Sequence, residues 1–88
     1  MSLPRVQVMS RKGCCLCEDA EAAARFVAEK GLCRLEVIDV DRELELAARF
    51  GADVPVVLVE GVVSMMHRIS QAELEERLNR LMKECRRC

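Results

Sequence analysis

The sequence predicts an α/β domain, a four-stranded mixed sheet flanked by helices, in the order β-α-β-α-β-β-α. Three observations lead there. The chain has 88 residues, and at roughly 100–200 residues per domain that allows one domain and no more. Short runs rich in Val and Ile alternate with longer stretches whose apolar residues recur every three to four positions, the pattern of strands joined by helices. The last two strand-like runs are instead separated only by Glu60-Gly61, a tight hairpin signal. The first βαβ unit is therefore expected to be a right-handed parallel crossover, and the hairpin to pair its strands antiparallel.

Each element has its own justification. Val6–Met9 is too short for a helix and rich in β-formers, so it reads as the first strand, broken by Ser10-Arg11-Lys12-Gly13. From Cys15 to Lys30 the residues Leu16, Ala20, Ala23 and Val27 mark one helical face. Glu18 and Asp19 suit its first turn, and Lys30-Gly31 stops it. Leu35–Val40 is mostly apolar and reads as a strand buried on both faces. Asp41 is expected to cap a short helix reaching Arg49, with Leu44, Ala47 and Ala48 inward and Gly51 ending it. Val56–Val59 and Val62–Met66 are the hairpin strands, with one of Met65 and Met66 facing the core. Ser70-Gln71-Ala72-Glu73 has capping-box spacing, and Leu74, Leu78, Leu81 and Cys85 follow on one helical face. The whole chain, 1–88, reads as a single domain with its core over 5–82 and a tail at 83–88.

Composition narrows the function classes. Hydrophobic residues make up 51% of the chain, yet Phe26 and Phe50 are its only aromatics, so the core is expected to be aliphatic. Fourteen basic against fifteen acidic residues leave a net charge of −1. That balance, without aromatic stacking platforms, argues against a nucleic-acid partner. No apolar run approaches the length of a membrane span, so no membrane partner is expected. No basic start followed by an apolar stretch suggests a secretory leader, so the expected location is cytoplasmic and reducing.

Six cysteines in a chain of this length need an explanation. They are unevenly spread, with Cys14, Cys15 and Cys17 clustered, Cys33 alone, and Cys85 and Cys88 at the end. Clustering in a chain with enough apolar residues for an ordinary core points to redox or metal chemistry more than to disulfide stapling. Cys14 and Cys17 form a Cys-x-x-Cys pair where the first strand meets the first helix. A thiolate there is stabilised by free backbone N–H groups and the helix dipole, with Arg11 and Lys12 adding positive charge. One helical turn returns Cys17 beside Cys14, so Cys14 reads as the exposed nucleophile and Cys17 as the buried resolving thiol. The plainer alternative is three small buried apolar residues. Cys15 has no part in a two-cysteine mechanism and is adequately explained as a partly buried small residue.

Ser10-Arg11-Lys12-Gly13-Cys14-Cys15-Leu16-Cys17 is similar to the Ser-Lys-Pro-x-Cys-Pro-Tyr-Cys segment of glutaredoxins, and Val54-Pro55-Val56 resembles the cis-proline motif of the thioredoxin superfamily. Asp39 through Gly61 is also similar, so the resemblance to small glutaredoxin-like proteins spans nearly the whole chain. It implies a thioredoxin-like fold and thiol–disulfide oxidoreductase activity. It also implies substrate-binding roles for Val54, whose backbone would pair with the thiol substrate, for Pro55 opposite the cysteines, and for Arg11, which matches a lysine contacting the carboxylate of glutathione. The implied partners are protein disulfides or glutathione mixed disulfides, with no bound cofactor and with glutathione as a candidate reductant. The sequence departs from the pattern in its Cys15-Leu16 dipeptide, in lacking Trp before the motif, and at Met66–Ser70, where glutaredoxins carry a Gly pair that binds glutathione.

Two other readings stay open on the sequence. Cys14, Cys15 and Cys17 could hold a metal or an iron–sulfur cluster, or the fold could serve as a non-catalytic interaction module. Cys85 and Cys88 repeat the Cys-x-x-Cys spacing and invite a four-cysteine zinc site. The last helix, however, should carry Cys85 more than about 20 Å from the edge that holds Cys14, and Cys33 should lie at that far edge. The tail is expected to hold free thiols. His67, the only histidine, reads as a surface residue.

Overall fold

Strands β1 (Arg5–Ser10) and β3 (Val56–Val59) form the centre of the sheet, and the alternation of their side chains supplies two cores at once. The structure is a computed structural model and describes residues 3–86. Val6, Val8, Val57 and Val59 face one side, where they meet helix α1 (Cys15–Glu29) and helix α3 (Gln71–Arg86). Met9, Val56 and Leu58 face the other, against Val40 and Phe50 of the segment that contains helix α2 (Leu44–Phe50). Strand β2 (Arg34–Asp39) pairs parallel with β1, and strand β4 (Val62–Met66) pairs antiparallel with β3. The sheet order is β2-β1-β3-β4, the four-stranded mixed sheet read from the sequence.

Local chemistry sets the element ends. Glu60 and Gly61 have φ of 53° and 80°, the left-handed backbone of a two-residue hairpin, and Val59 pairs directly with Val62. The Ser70 hydroxyl accepts the Glu73 backbone N–H at 3.1 Å, capping α3. Leu74 and Leu78 beyond that cap are fully buried; truncating either to alanine should cost about 2–5 kcal/mol. Met65 faces the core and Met66 is exposed.

Several expectations are corrected. The buried stripe of α1 is Cys17, Ala20, Ala24 and Val27, while Leu16 is 41% exposed and Ala23 only half-buried. Both sets have helical spacing, and packing on β1 chooses the one containing Cys17. Strand β2 is not buried on both faces. It runs along the edge of the sheet with β1 as its partner, and Arg34, Glu36 and Val37 are exposed. Val40 leaves it for a 3₁₀ turn (Val40–Arg42). Asp41 does not cap a helix: the Asp39 carboxylate accepts the Asp41 N–H at 2.9 Å, and α2 begins at Leu44 without a side-chain cap. Leu44 is 91% exposed and Ala48 is also outside, because Leu46 and Phe50 carry the inward face of this short helix. Helix α3 extends to Arg86, so residues 83–86 continue it. The reading of Cys88, and of the Cys85 side chain, lies outside the described residues.

Candidate active site

One edge of the sheet gathers the residues that carry chemistry. β1 ends there at Ser10, Val56 at the start of β3 pairs with Met9, and β4 ends opposite Val56 at Met66. The loop before α1, the Asp53-Val54-Pro55 segment and His67 therefore share that edge. The Val54–Pro55 peptide bond is cis, Pro55 is buried, and its carbonyl accepts the His67 N–H at 2.9 Å. His67 is exposed, and its Nε2 lies 3.3 Å from the Asp53 carboxylate.

Gly13, at φ 78°, turns the chain from β1 into α1. Cys14 is the N-cap of that helix, with extended backbone and its Sγ accepting the Cys17 backbone N–H at 3.2 Å. A sulfur thus takes the place usually held by a Ser or Asp oxygen, meeting one of the helix's free donors. Cys14 is half-buried, Cys15 is exposed and Cys17 is 1% exposed. Burial pushes the Cys17 thiol up to about 11. Its hydrogen bond with Cys14 and its electrostatic coupling to Cys14 and Glu21 add to that, while the Arg11 backbone N–H opposes it. The arrangement is one accessible sulfur and one sequestered sulfur, a single turn apart.

Arg11 is committed elsewhere. Its Nε and Nη2 reach the Asp41 carboxylate at 3.1–3.2 Å, and its Nη1 donates to the Gly51 carbonyl at 3.2 Å. This fork ties the loop before Cys14 to the far ends of the 3₁₀ turn and α2. Gly51 is needed for it: a Cβ there would lie 2.8 Å from Arg11 Nη2 and collide with the Ala47 carbonyl.

The glutaredoxin-like domain family (DUF836) matches this sequence over residues 5–79. The chain belongs to that family. Among solved structures, a structural genomics target protein from X. campestris is similar at 20% identity and a TM-score of 0.69, over 84% of this chain and 95% of that one. A thioredoxin variant from Halobacterium salinarum shares 21% identity over 88% of this chain and 73% of its own, with a TM-score of 0.65. Fasciola hepatica thioredoxin follows at 20% identity, TM-score 0.57, over 90% and 81% of the two chains. A comparison with curated proteins finds no match. The thioredoxin-like fold expected from the motifs is therefore the fold of this glutaredoxin-like domain.

Of the residues singled out in the sequence, the glutaredoxin-like fold brings Cys14, Cys17, Arg11, Val54 and Pro55 to one edge, while Cys33 lies at the opposite one, beside the start of β2. Asp41, Ser10 and Glu21 also belong to this region, in roles that their sequence positions did not assign to them. Asp41 holds Arg11 from thirty positions away, a pairing without local signature. The Ser10 hydroxyl donates to Glu21 Oε1 at 2.9 Å. Both line a cavity of about 760 Å³ with Cys17, bounded on its other side by β2 and α2. The i, i+4 spacing of Cys17 and Glu21 was the available signal. Among the described residues, no three His, Cys, Asp or Glu side chains converge as a metal site, and no helix is long and apolar enough to cross a membrane.

Proposed function

We propose that this chain is a dithiol thiol–disulfide oxidoreductase working through Cys14 and Cys17. The Cys14 sulfur attacks a substrate disulfide, forming a mixed disulfide and releasing one substrate thiolate. Cys17 then attacks Cys14, forming the Cys14–Cys17 disulfide and releasing the second substrate thiolate. The pair is oxidised by two electrons and the substrate reduced by two. The observation that carries this reading is the 3.2 Å hydrogen bond from the Cys17 N–H to Cys14 Sγ at the helix N-cap. It gives the attacking Cys14 sulfur a hydrogen-bond donor as negative charge develops on it. Sequestration of Cys17 leaves the first step to Cys14.

The family pattern assigns the Val54 backbone to substrate pairing and Pro55 to shaping the groove. Arg11 would meet a substrate carboxylate only by exchanging Asp41 for it, which weights the reading toward protein disulfides over glutathione mixed disulfides. The electrons reside on the two sulfurs, so no resident cofactor is required, and reduced glutathione in a cytoplasmic setting is a candidate donor. Mass spectrometry of a Cys17→Ser variant exposed to a disulfide should find a stable adduct on Cys14. Absence of that adduct, with wild-type protein unable to reduce the same disulfide, would overturn the proposal.

A further inference from the structure

We propose that the outer edge of β2 is a docking groove for an extended segment of a partner protein, one that alternates basic and aliphatic residues and joins the sheet as a further strand. β2 has β1 on one side and no strand on the other. The Arg34 N–H donates to the Pro4 carbonyl just before β1, so along the strand Glu36 and Ile38 also turn their N–H and C=O groups toward β1. Leu35, Val37 and Asp39 turn theirs outward, where no backbone group among the described residues pairs with them. β2 pairs with β1 in unbroken register, whereas β4, at the other edge, slips against β3. The β2 edge therefore offers a continuous row of free donors and acceptors that an extended chain can complete.

This edge also has walls. The cavity of about 760 Å³ runs along Glu36, Val37, Ile38 and Asp39, with α1 on one face of the sheet and the start of α2 on the other. Register assigns the faces. Val37 and Asp39 lie beside Val8 and Ser10 on the α1 side, and Glu18 and Glu21 of α1 complete that wall. Glu36 and Ile38 lie beside Gln7 and Met9 on the α2 side, with Leu46 and Glu43 beyond them. A strand laid along β2 points successive side chains at the two walls in turn.

The walls differ in chemistry, and the difference names the occupant. On the α1 side the three carboxylates of Glu18, Glu21 and Asp39 call for Lys or Arg. On the α2 side Ile38 and Leu46 are aliphatic and half-buried, and Arg42 offsets the charge of Glu36 and Glu43, so aliphatic side chains fit there. Of the remaining cations, Arg11 is held by Asp41 and Lys12 belongs to the loop at the groove's end. A second copy of this chain would bring its own Glu36 and acidic α1 wall against these carboxylates, so like charge opposes self-pairing.

Docking here does not depend on the dithiol reading, and the probe contains no sulfur. A capped, fluorescent eight-residue peptide alternating Lys and Val would be titrated with the reduced full chain and followed by fluorescence anisotropy, with backbone amides read by NMR. Binding should saturate and shift the Leu35 and Val37 amides. A peptide with Glu in place of Lys, and one with the same Lys and Val in two blocks, should each bind at least about tenfold more weakly. N-methylation of every second residue should abolish binding in one phase of the alternation and spare it in the other, because only one set of amides faces β2. Val37→Pro removes an outward N–H that β1 does not use, a change an edge strand tolerates, and should weaken the peptide by a similar factor. The methylated peptides put the same question to the wild-type chain should that variant not fold. Equal binding of the alternating and block peptides, or methylation without effect in both phases, overturns the inference. So does absence of binding, or amide shifts confined to the Cys14 loop. A dimer in sedimentation that Val37→Pro separates would give the edge to a second copy and overturn it as well.

Discussion

Cys17 and Cys33 are 1% and 3% exposed, and burial raises the thiol of each above its ordinary range. Their surroundings differ in every other respect. Cys33 lies in the larger core with Val27, Leu32 and Leu35 around it, at the edge of the sheet away from the Cys14 loop. Cys17 has a half-exposed sulfur one turn before it, a carboxylate one turn after it and a cavity alongside. Burial makes a cysteine inert only where no second sulfur can reach it; at Cys17 the same burial would set the order of the proposed steps.

The sharpest way to break that contrast is to remove each sulfur in turn. Cys17→Ala should abolish release of the second thiolate from a substrate disulfide. Cys33→Ala should leave turnover unchanged and cost about 1–2 kcal/mol, a fall in Tm of about 4–8 °C for each kcal/mol. Loss of turnover in the Cys33 variant, measured by disulfide-reduction assay beside thermal unfolding, would erase the distinction.

Alkaline unfolding sharpens what the two sites share. With the folded Cys17 thiol at about 11 against an ordinary 9.0, the folded chain binds more protons than the unfolded chain between those values, so stability falls as pH rises. It is fully present below pH 9 and lost as pH passes through about 11. Cys33 shifts in the same direction. Tm followed across that window should decline, and each Cys→Ala variant should decline less steeply than the wild type.

The smallest effect is expected at the clamp that distinguishes the Cys14 edge from the Cys33 edge. Asp41→Asn removes the charge that holds Arg11 Nε and Nη2 and, at this half-exposed pair, should cost about 0–1 kcal/mol. The loss of the bond to Asp41 should appear as a shifted Arg11 Nε–H resonance in NMR spectra.

How much of this was legible in the sequence follows from the range of each interaction. The hairpin at Glu60-Gly61, the Ser70 cap and the placing of Cys14 at a helix mouth depend on residues within a turn of one another, and the sequence displays them. Family likeness extended that local reading to Val54 and Pro55. The face of α1 was ambiguous because Leu16 and Ala23 compete with Cys17 and Ala24 for the same periodicity, and only the neighbouring strand decides. The edge position of β2 depends on strand order, which no residue of β2 encodes. Asp41 is not the cap for a similar reason: the partner that claims it is Arg11, thirty residues earlier, and Asp39 caps the 3₁₀ turn instead.

Between Val57 and Leu58 the pairing of β3 with β4 slips, so that Met65 and Val63 oppose them and Ser64 is left over. Ser64 sits in the outer strand, where Val62 and Val63 are 66% and 41% exposed. An outer strand with such side chains and a regular row of free N–H and C=O groups would offer a template to any passing extended chain. The extra residue bends the strand and breaks that row. A protein whose proposed work is to grip other chains covalently through one sulfur thus carries, two strands away, a feature that discourages them from adding themselves to its sheet.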